Sequence, residues 1–210
     1  MELLLDTDFI LKMGRLSLLS DFENFMTTRS HATPFRHLSF ETNRKIREAQ
    51  ADPIRSSFGS QKTWNIVNSF VKDCIAMPPS TNTDVLYELE EVGSIDAGER
   101  VLIEYAIAIP EAIIVTCDKN FIAAMANPKA AKFRALLQKR IHHMEHFIFA
   151  FGQSRGWNTI RTNITKDSDC DAALHEMLHL RHKESEAIAS IFASMRVIDR
   201  SSGGTVPAPL

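Results

Sequence analysis

The chain alternates short apolar runs with stretches of helical spacing, the pattern of strands separated by helices. Leu3-Leu4-Leu5 reads as a buried strand ending at Asp6. Ile113-Ile114-Val115-Thr116-Cys117 reads as another, ending at Asp118. Short, continuous apolar runs of this kind suit strands covered on both faces in a parallel sheet. After the first, Ile10, Met13, Leu16, Leu18, Phe22 and Phe25 recur at helical spacing, predicting a helix from Phe9 to Met26. Pro34 interrupts, and Phe35-Arg36-His37-Leu38 predicts a second strand. Ser39 is a candidate cap for a helix over Phe40 to Gln50, and residues 51–61 read as a loop. Trp64 to Met77 predicts a helix stopped by Pro78-Pro79. A short helix follows, capped by Thr83 or Asp84 and running to Glu91, and Asp96 opens another that ends at Pro110.

Beyond Asn127-Pro128 the pattern turns helical, from Phe133 through Phe151. Gly152 to Asp171 reads as a polar loop with a short strand at Thr159–Ile164, and Ala172 to Ile198 as one long amphipathic helix. The expected organisation is an α/β domain over residues 1–128, a helical C-terminal extension over 129–200, and a disordered tail over 201–210.

Composition is that of a globular protein, 44% hydrophobic and 24% charged. No run approaches the roughly 20 apolar residues of a membrane helix. The N-terminus lacks a basic region and cleavage site, so no signal peptide is expected. Cys74, Cys117 and Cys170 are odd in number and widely spaced, as in a reduced cytoplasmic protein. Charge is uneven: residues 1–128 carry −6, residues 129–166 carry +7, and residues 167–210 carry −3. The basic segment points either to a polyanionic partner or to a solvated helix balancing an acidic body.

The two strand-end acids change the picture most. In parallel sheets the carboxyl ends of the strands face the ligand crevice, so Asp6 and Asp118 are placed to meet there. Acids gathered without basic partners repel and desolvate one another, and a divalent cation relieves both costs. Strand-end turn residues would explain the same positions without chemistry.

The order of elements and acids resembles that of PIN-domain nucleases. Leu3-Leu4-Leu5-Asp6-Thr7-Asp8 is similar to their opening strand. Glu41 lies where an early-helix Glu is expected, with Glu48 as a fallback. Gly98-Glu99, with Ala106 seven residues on, resembles the third acid. Thr116-Cys117-Asp118-Lys119-Asn120-Phe121 is similar to the last signature. The resemblance covers roughly residues 1–125; Asn120 stands where many members carry a further carboxylate. It implies a three-layer α/β/α fold with a central, mostly parallel sheet. It implies a Mg²⁺- or Mn²⁺-dependent endoribonuclease with Asp6, Glu99 and Asp118 as metal ligands and Glu41 orienting water. Asp8, Asp96, Thr116 and Asn120 would support them. Asp96 also reads as a helix cap, Glu41 as a solvated first-turn residue, and Asp8 chiefly as the cap of the first helix. The resemblance further implies an RNA substrate (DNA is the alternative), and it allows a VapC-type toxin role with a small antitoxin and a homodimer. Lys129, Lys132, Arg134, Lys139 and Arg140, with Arg155, Arg161 and Lys166, would contact phosphates, and Trp157 could stack on a base. A catalytically weak RNA- or protein-binding module is the second reading.

Three rival motifs remain. His175-Glu176-Met177-Leu178-His179 is the H-E-x-x-H string of zinc metalloproteases. It lacks a third ligand at a familiar spacing, and a polar flank on an amphipathic helix accounts for it. His142, His143 and His146 read as a solvated or nucleic-acid-facing helix, with metal ligation as the alternative. Asp6-Thr7-Asp8 also resembles the Asp-x-Asp of haloacid-dehalogenase phosphatases, but Phe9-Ile10 replaces the expected Gly-Thr.

Overall fold

The computed structural model describes residues 2–30, 35–80 and 82–203; the side chains of Arg29 and Ser30 are not among them. Residues 204–210, most of the expected tail, and Pro34 lie outside the described residues. Among the described residues the strands are β1 Glu2–Leu5, β2 Phe35–His37, β3 Ile75–Ala76, β4 Ala112–Thr116 and β5 Ile141–His143. They form one sheet in the order β3-β2-β1-β4-β5, with every pair parallel. The helices of the first half are α1 Thr7–Arg15, α2 Leu19–Ser30, α3 Ser39–Ala49, α4 Gln61–Asp73, α5 Thr83–Glu90 and α6 Ala97–Ala108. Those of the second half are α7 Lys119–Ala124, α8 Ala131–Leu136, α9 Met144–Arg155, α10 Trp157–Ile164, α11 Ala172–Leu178 and α12 Glu184–Ser201. No helix among the described residues is long and apolar enough to cross a membrane.

Side chains alternate across a strand, and β1 shows it directly. Leu3 and Leu5 enter a core with Phe9, Phe22, Val67, Phe147 and Ile191, whereas Leu4 enters a second core with Leu102, Ile114, Phe121 and Phe133. Helices thus cover both faces of the sheet, an α/β/α layering. Phe22 anchors the first core, 5.1 Å from both Phe9 and Phe147 in edge-to-face contacts. Each such buried ring contributes about 1.5–3 kcal/mol by burial alone.

Several elements differ from the sequence reading, for local reasons. The helix expected from Phe9 to Met26 is two helices, because Ser17 (φ 56°) turns the chain between α1 and α2. Leu38, not Ser39, occupies the cap position of α3. The helix expected to reach Met77 ends at Asp73, where Cys74 becomes extended and leads into β3. Thr159–Ile164 is helical: Trp157, Ile160 and Ile164 share one buried face of α10. Residues 129–200 are not purely helical, since Ile141–His143 adds β5 to the sheet beside β4. Both cores draw on residues beyond 128. The long helix expected over Ala172 to Ile198 is interrupted between α11 and α12 by His179, which has left the helical region at ψ 140°.

The α9–α10 junction is tight enough to test. A Cβ built on Gly152 would lie 2.5 Å from two ring atoms of Trp157. Gly152→Ala is therefore expected to cost about 1–3 kcal/mol despite the better helix propensity of alanine. A urea midpoint at or above the parent value would refute this.

Candidate active site

The strand order reverses direction between β1 and β4, since the chain builds outward to β2 and β3 before returning to β4. Open α/β sheets bind ligands at such a switch point, outside the carboxyl ends of the strands. Asp6 follows β1 and Asp118 lies two residues beyond β4, so both stand there. The N-terminal turns of α1, α3 and α6 contribute Asp8, Glu41 and Glu99. Their partial positive charge favours acids at these positions.

Thr116 ties the two strand ends together. Its hydroxyl donates to Asp6 Oδ2 at 3.0 Å and accepts from the Asp118 amide at 3.0 Å. Asp118 caps α7: its Oδ1 accepts from the amides of Asn120 at 2.6 Å and Phe121 at 3.1 Å. Glu99 and Asp96 form a reciprocal capping box, each side chain accepting from the other's amide at 2.8 Å. Asp118 Oδ2 and Glu99 Oε1 receive no hydrogen bond from the described residues. A buried Thr7–Thr42 hydroxyl contact of 2.9 Å sets α3 against α1. It brings Glu41 to the site, where a Cβ on Gly98 would meet Glu41 Oε2 at 3.7 Å and Asp96 Oδ1 at 3.3 Å.

A cleft of about 730 Å³ opens over these groups, lined by Asp96, Glu99, Asp118 and Asn120. Asp6 does not line the cleft itself. Burial pushes its carboxyl up to about 7, with Asp8 adding repulsion while the Thr116 bond opposes the rise. Burial likewise lifts Glu99 to about 8, opposed by its bond from the Asp96 amide and reinforced by the charges of Asp96, Asp118 and Asp6. Among the described residues Asp6, Glu99 and Asp118 have no ion-pair partner; Lys45 is held by Asp8 at 2.8 Å and Glu41 at 3.5 Å.

The donor set has the oxygen chemistry a hard divalent cation requires, with Asp6 and Glu99 withdrawn from water and no cationic side chain of the described residues paired with either. Among the described residues, however, no three His, Cys, Asp or Glu side chains stand gathered as a metal-holding group.

The remaining expected residues divide clearly. Asp8 is not the cap of α1; Asp6 takes that position, and Asp8 is an exposed partner of Lys45. Glu48 points away, paired with Arg44 at 2.9 Å. The basic segment is largely engaged within the protein. Arg140 donates to the carbonyls of Ala106 and Pro110 at 2.8 Å, closing the end of α6. Arg134 bonds the carbonyls of Met125 and Ala126, and Arg161 those of Leu178, His179 and His182. Lys132 meets Glu88 at 2.6 Å, Lys129 meets Glu91 at 3.7 Å, and Arg155 meets Asp21 at 3.4 Å. Lys166 bonds Asn163, and Lys139 sits in a left-handed turn at φ 60°. Trp157 is buried against Phe149, which removes it as a base-stacking surface.

The histidines expected on a solvated helix are buried: His142 and His143 in β5, His146 in α9. Burial pushes His142 down to about 4 and His143 down to about 3, so both are neutral at pH 7. In the H-E-x-x-H string, α11 ends at Leu178 before His179, and Glu176 is ion-paired with Arg181. One continuous helix therefore does not present the two histidines.

Reading from sequence missed the Thr116 bridge as a joint between two acids, the role of Lys45, and the Thr7–Thr42 contact. A hydroxyl two residues before Asp118 was the available signal for the first. The chain matches no protein-family model, no curated protein and no solved structure.

Proposed function

We propose that the protein is a Mg²⁺- or Mn²⁺-dependent nuclease hydrolysing phosphodiester bonds, with RNA as substrate. The carrying observation is the desolvated pair Asp6 and Glu99 beside Asp118, uncompensated by any cation of the described chain at the switch point of the sheet. An ion bound there supplies charge neutralisation at the phosphate and lowers the pKa of an attacking water. Asp6, Glu99 and Asp118 would hold it. Thr116 fixes the first and third relative to each other, and Asp96 fixes the second. Glu41, beside Gly98, orients water at the rim.

The choice of RNA rests on the resemblance to PIN-domain nucleases, as do a toxin role, an antitoxin partner and a homodimer. A catalytically weak binding module would keep the same acids as remnants of the fold. Incubation of mixed-sequence RNA with Mn²⁺ separates the two readings. The parent chain is expected to cleave about a thousandfold faster than Asp6→Asn/Asp118→Asn, on the order of 4 kcal/mol of barrier. Equal rates would end the nuclease reading.

A further inference from the structure

No Lys or Arg lines the acidic cleft, so a polyanion entering it draws its counter-charge from the rim. Lys45, beside Glu41, is outnumbered by the two carboxylates that hold it. Lys119 is placed differently. It lies between Asp118 and Asn120, which both line the cleft, and it opens α7. Its side chain crosses the sheet edge to α9 and α12. There its ammonium stands 2.5 Å from Glu145 Oε1 and donates to Ser194 Oγ at 3.3 Å.

The strand register accounts for the first partner. Thr116 pairs with His143, and Asp118 and Glu145 each stand two residues further on. His143 Nε2 donates to the Cys117 carbonyl at 3.1 Å and fastens the two strand ends together. Asp6, Asp118 and Glu145 thus follow three neighbouring strands, β1, β4 and β5, along one edge of the sheet. The Glu145 side chain is 3% exposed, and its Oε2 has no hydrogen-bond partner among the described residues. Lys119 is the one cation paired with it among those residues, which fixes where the ammonium sits. An ammonium has three N–H donors. Glu145 and Ser194 take two, and with the side chain 46% exposed the third is left to solvent.

We propose that Lys119 is a phosphate contact of this site, its third N–H donating to a non-bridging oxygen of the backbone phosphate next to the one at the acids. The proposal rests on the nuclease reading and adds the path of the strand, from the cleft over the start of α7 toward α9. It also gives residues 129–200 a part in the site, since α9 and α12 hold the ammonium in place. Such a contact positions the strand without reading its sequence.

Removing Lys119 alone would leave a buried carboxylate unpaired, so the decisive variant is Lys119→Met/Glu145→Gln, which removes both charges and keeps the net charge of the parent. Fluorescence anisotropy with a labelled RNA oligonucleotide is read in chelator over a range of salt. The double variant is expected to bind about 3- to 10-fold more weakly at low salt, with a slope of log K against log salt shallower by about 0.7. Lys119→Arg keeps a cation and should retain the parent slope. Amine labelling of the parent chain, read by mass spectrometry, needs no variant: RNA should protect Lys119. A melting curve verifies the fold of the double variant; should it melt early, the labelling decides alone. A parent slope in the folded double variant, a lowered slope in Lys119→Arg, or equal labelling of Lys119 with and without RNA overturns the proposal. Lys119-dependent binding by a parent chain that cleaves nothing with Mn²⁺ supports the contact and removes the nuclease reading. Asp118-dependent cleavage beside a parent slope in the double variant removes the contact alone.

Discussion

In chelator, the protein is expected to lose about 1–3 kcal/mol of stability between pH 6.5 and pH 8, and Mn²⁺ or Mg²⁺ to restore it at the upper end. Asp6 rises from 3.8 to about 7 on folding, and Glu99 from 4.5 to about 8. A carboxyl raised in the folded state favours folding fully below its unfolded value. That contribution is lost as pH rises through the folded value, because the unfolded chain has already released its proton. His142 and His143 act in the opposite sense. Their folded values lie below the usual 6.5, so their contribution is present above that value and lost in acid. Below pH 6.5 the two effects oppose each other; above it only the carboxyls continue to titrate. A tenfold change in proton affinity on folding corresponds to about 1.4 kcal/mol, and coupling between the two acids keeps the total at the lower end. Thermal melts at pH 6.5 and pH 8, with EDTA and then with Mn²⁺, read the effect. Asp6→Asn should flatten the profile and reduce the response to the ion. A flat profile in the parent chain, or no stabilisation by either ion at pH 8, would show that these carboxyls neither strain the fold nor attract a cation.

The candidate site was legible where chemistry coincides with punctuation. Asp6 and Asp118 each end an apolar run, and a parallel sheet directs such ends to one edge. Glu99 was legible only through the resemblance, in Gly98-Glu99 with Ala106 seven residues on; the capping box with Asp96 that holds it emerged in the fold. Asp8 was placed in the wrong role because the one-dimensional pattern does not show which of two nearby acids begins the helix; Asp6 takes the cap position. Strand β5 was hidden because two of its three residues are histidines, polar by type yet buried in this fold. Ser17 broke an apparently continuous helix by adopting a left-handed turn that serine rarely takes. The basic segment misled for another reason. A charge count gives the number of cations in residues 129–166 but not the direction of a guanidinium's donors. Arg134, Arg140 and Arg161 aim theirs at main-chain carbonyls.

Arg161 gives the largest test of that distinction. It is 5% exposed and donates to the carbonyls of Leu178 at 3.1 Å, His179 at 2.7 Å and His182 at 2.6 Å. These are the orphan acceptors at the end of α11 and in the turn leading to α12, where one unbroken helix was expected. The planar fork of arginine serves several acceptors at once, and no other side chain offers five donors in that shape. Arg161→Met keeps most of the apolar stem but leaves the carbonyls unsatisfied, each at a cost of about 1–3 kcal/mol where it stays buried. The expected loss is about 3–5 kcal/mol in urea unfolding, with Arg161→Lys intermediate because one ammonium cannot span the same acceptors. A phosphate-contacting Arg161 would behave differently: Arg161→Met would unfold at the parent midpoint and bind RNA less tightly with a shallower salt dependence. A large drop in midpoint therefore assigns this cation to the α11–α12 turn, and an unchanged midpoint returns it to the surface chemistry that net charge alone suggests.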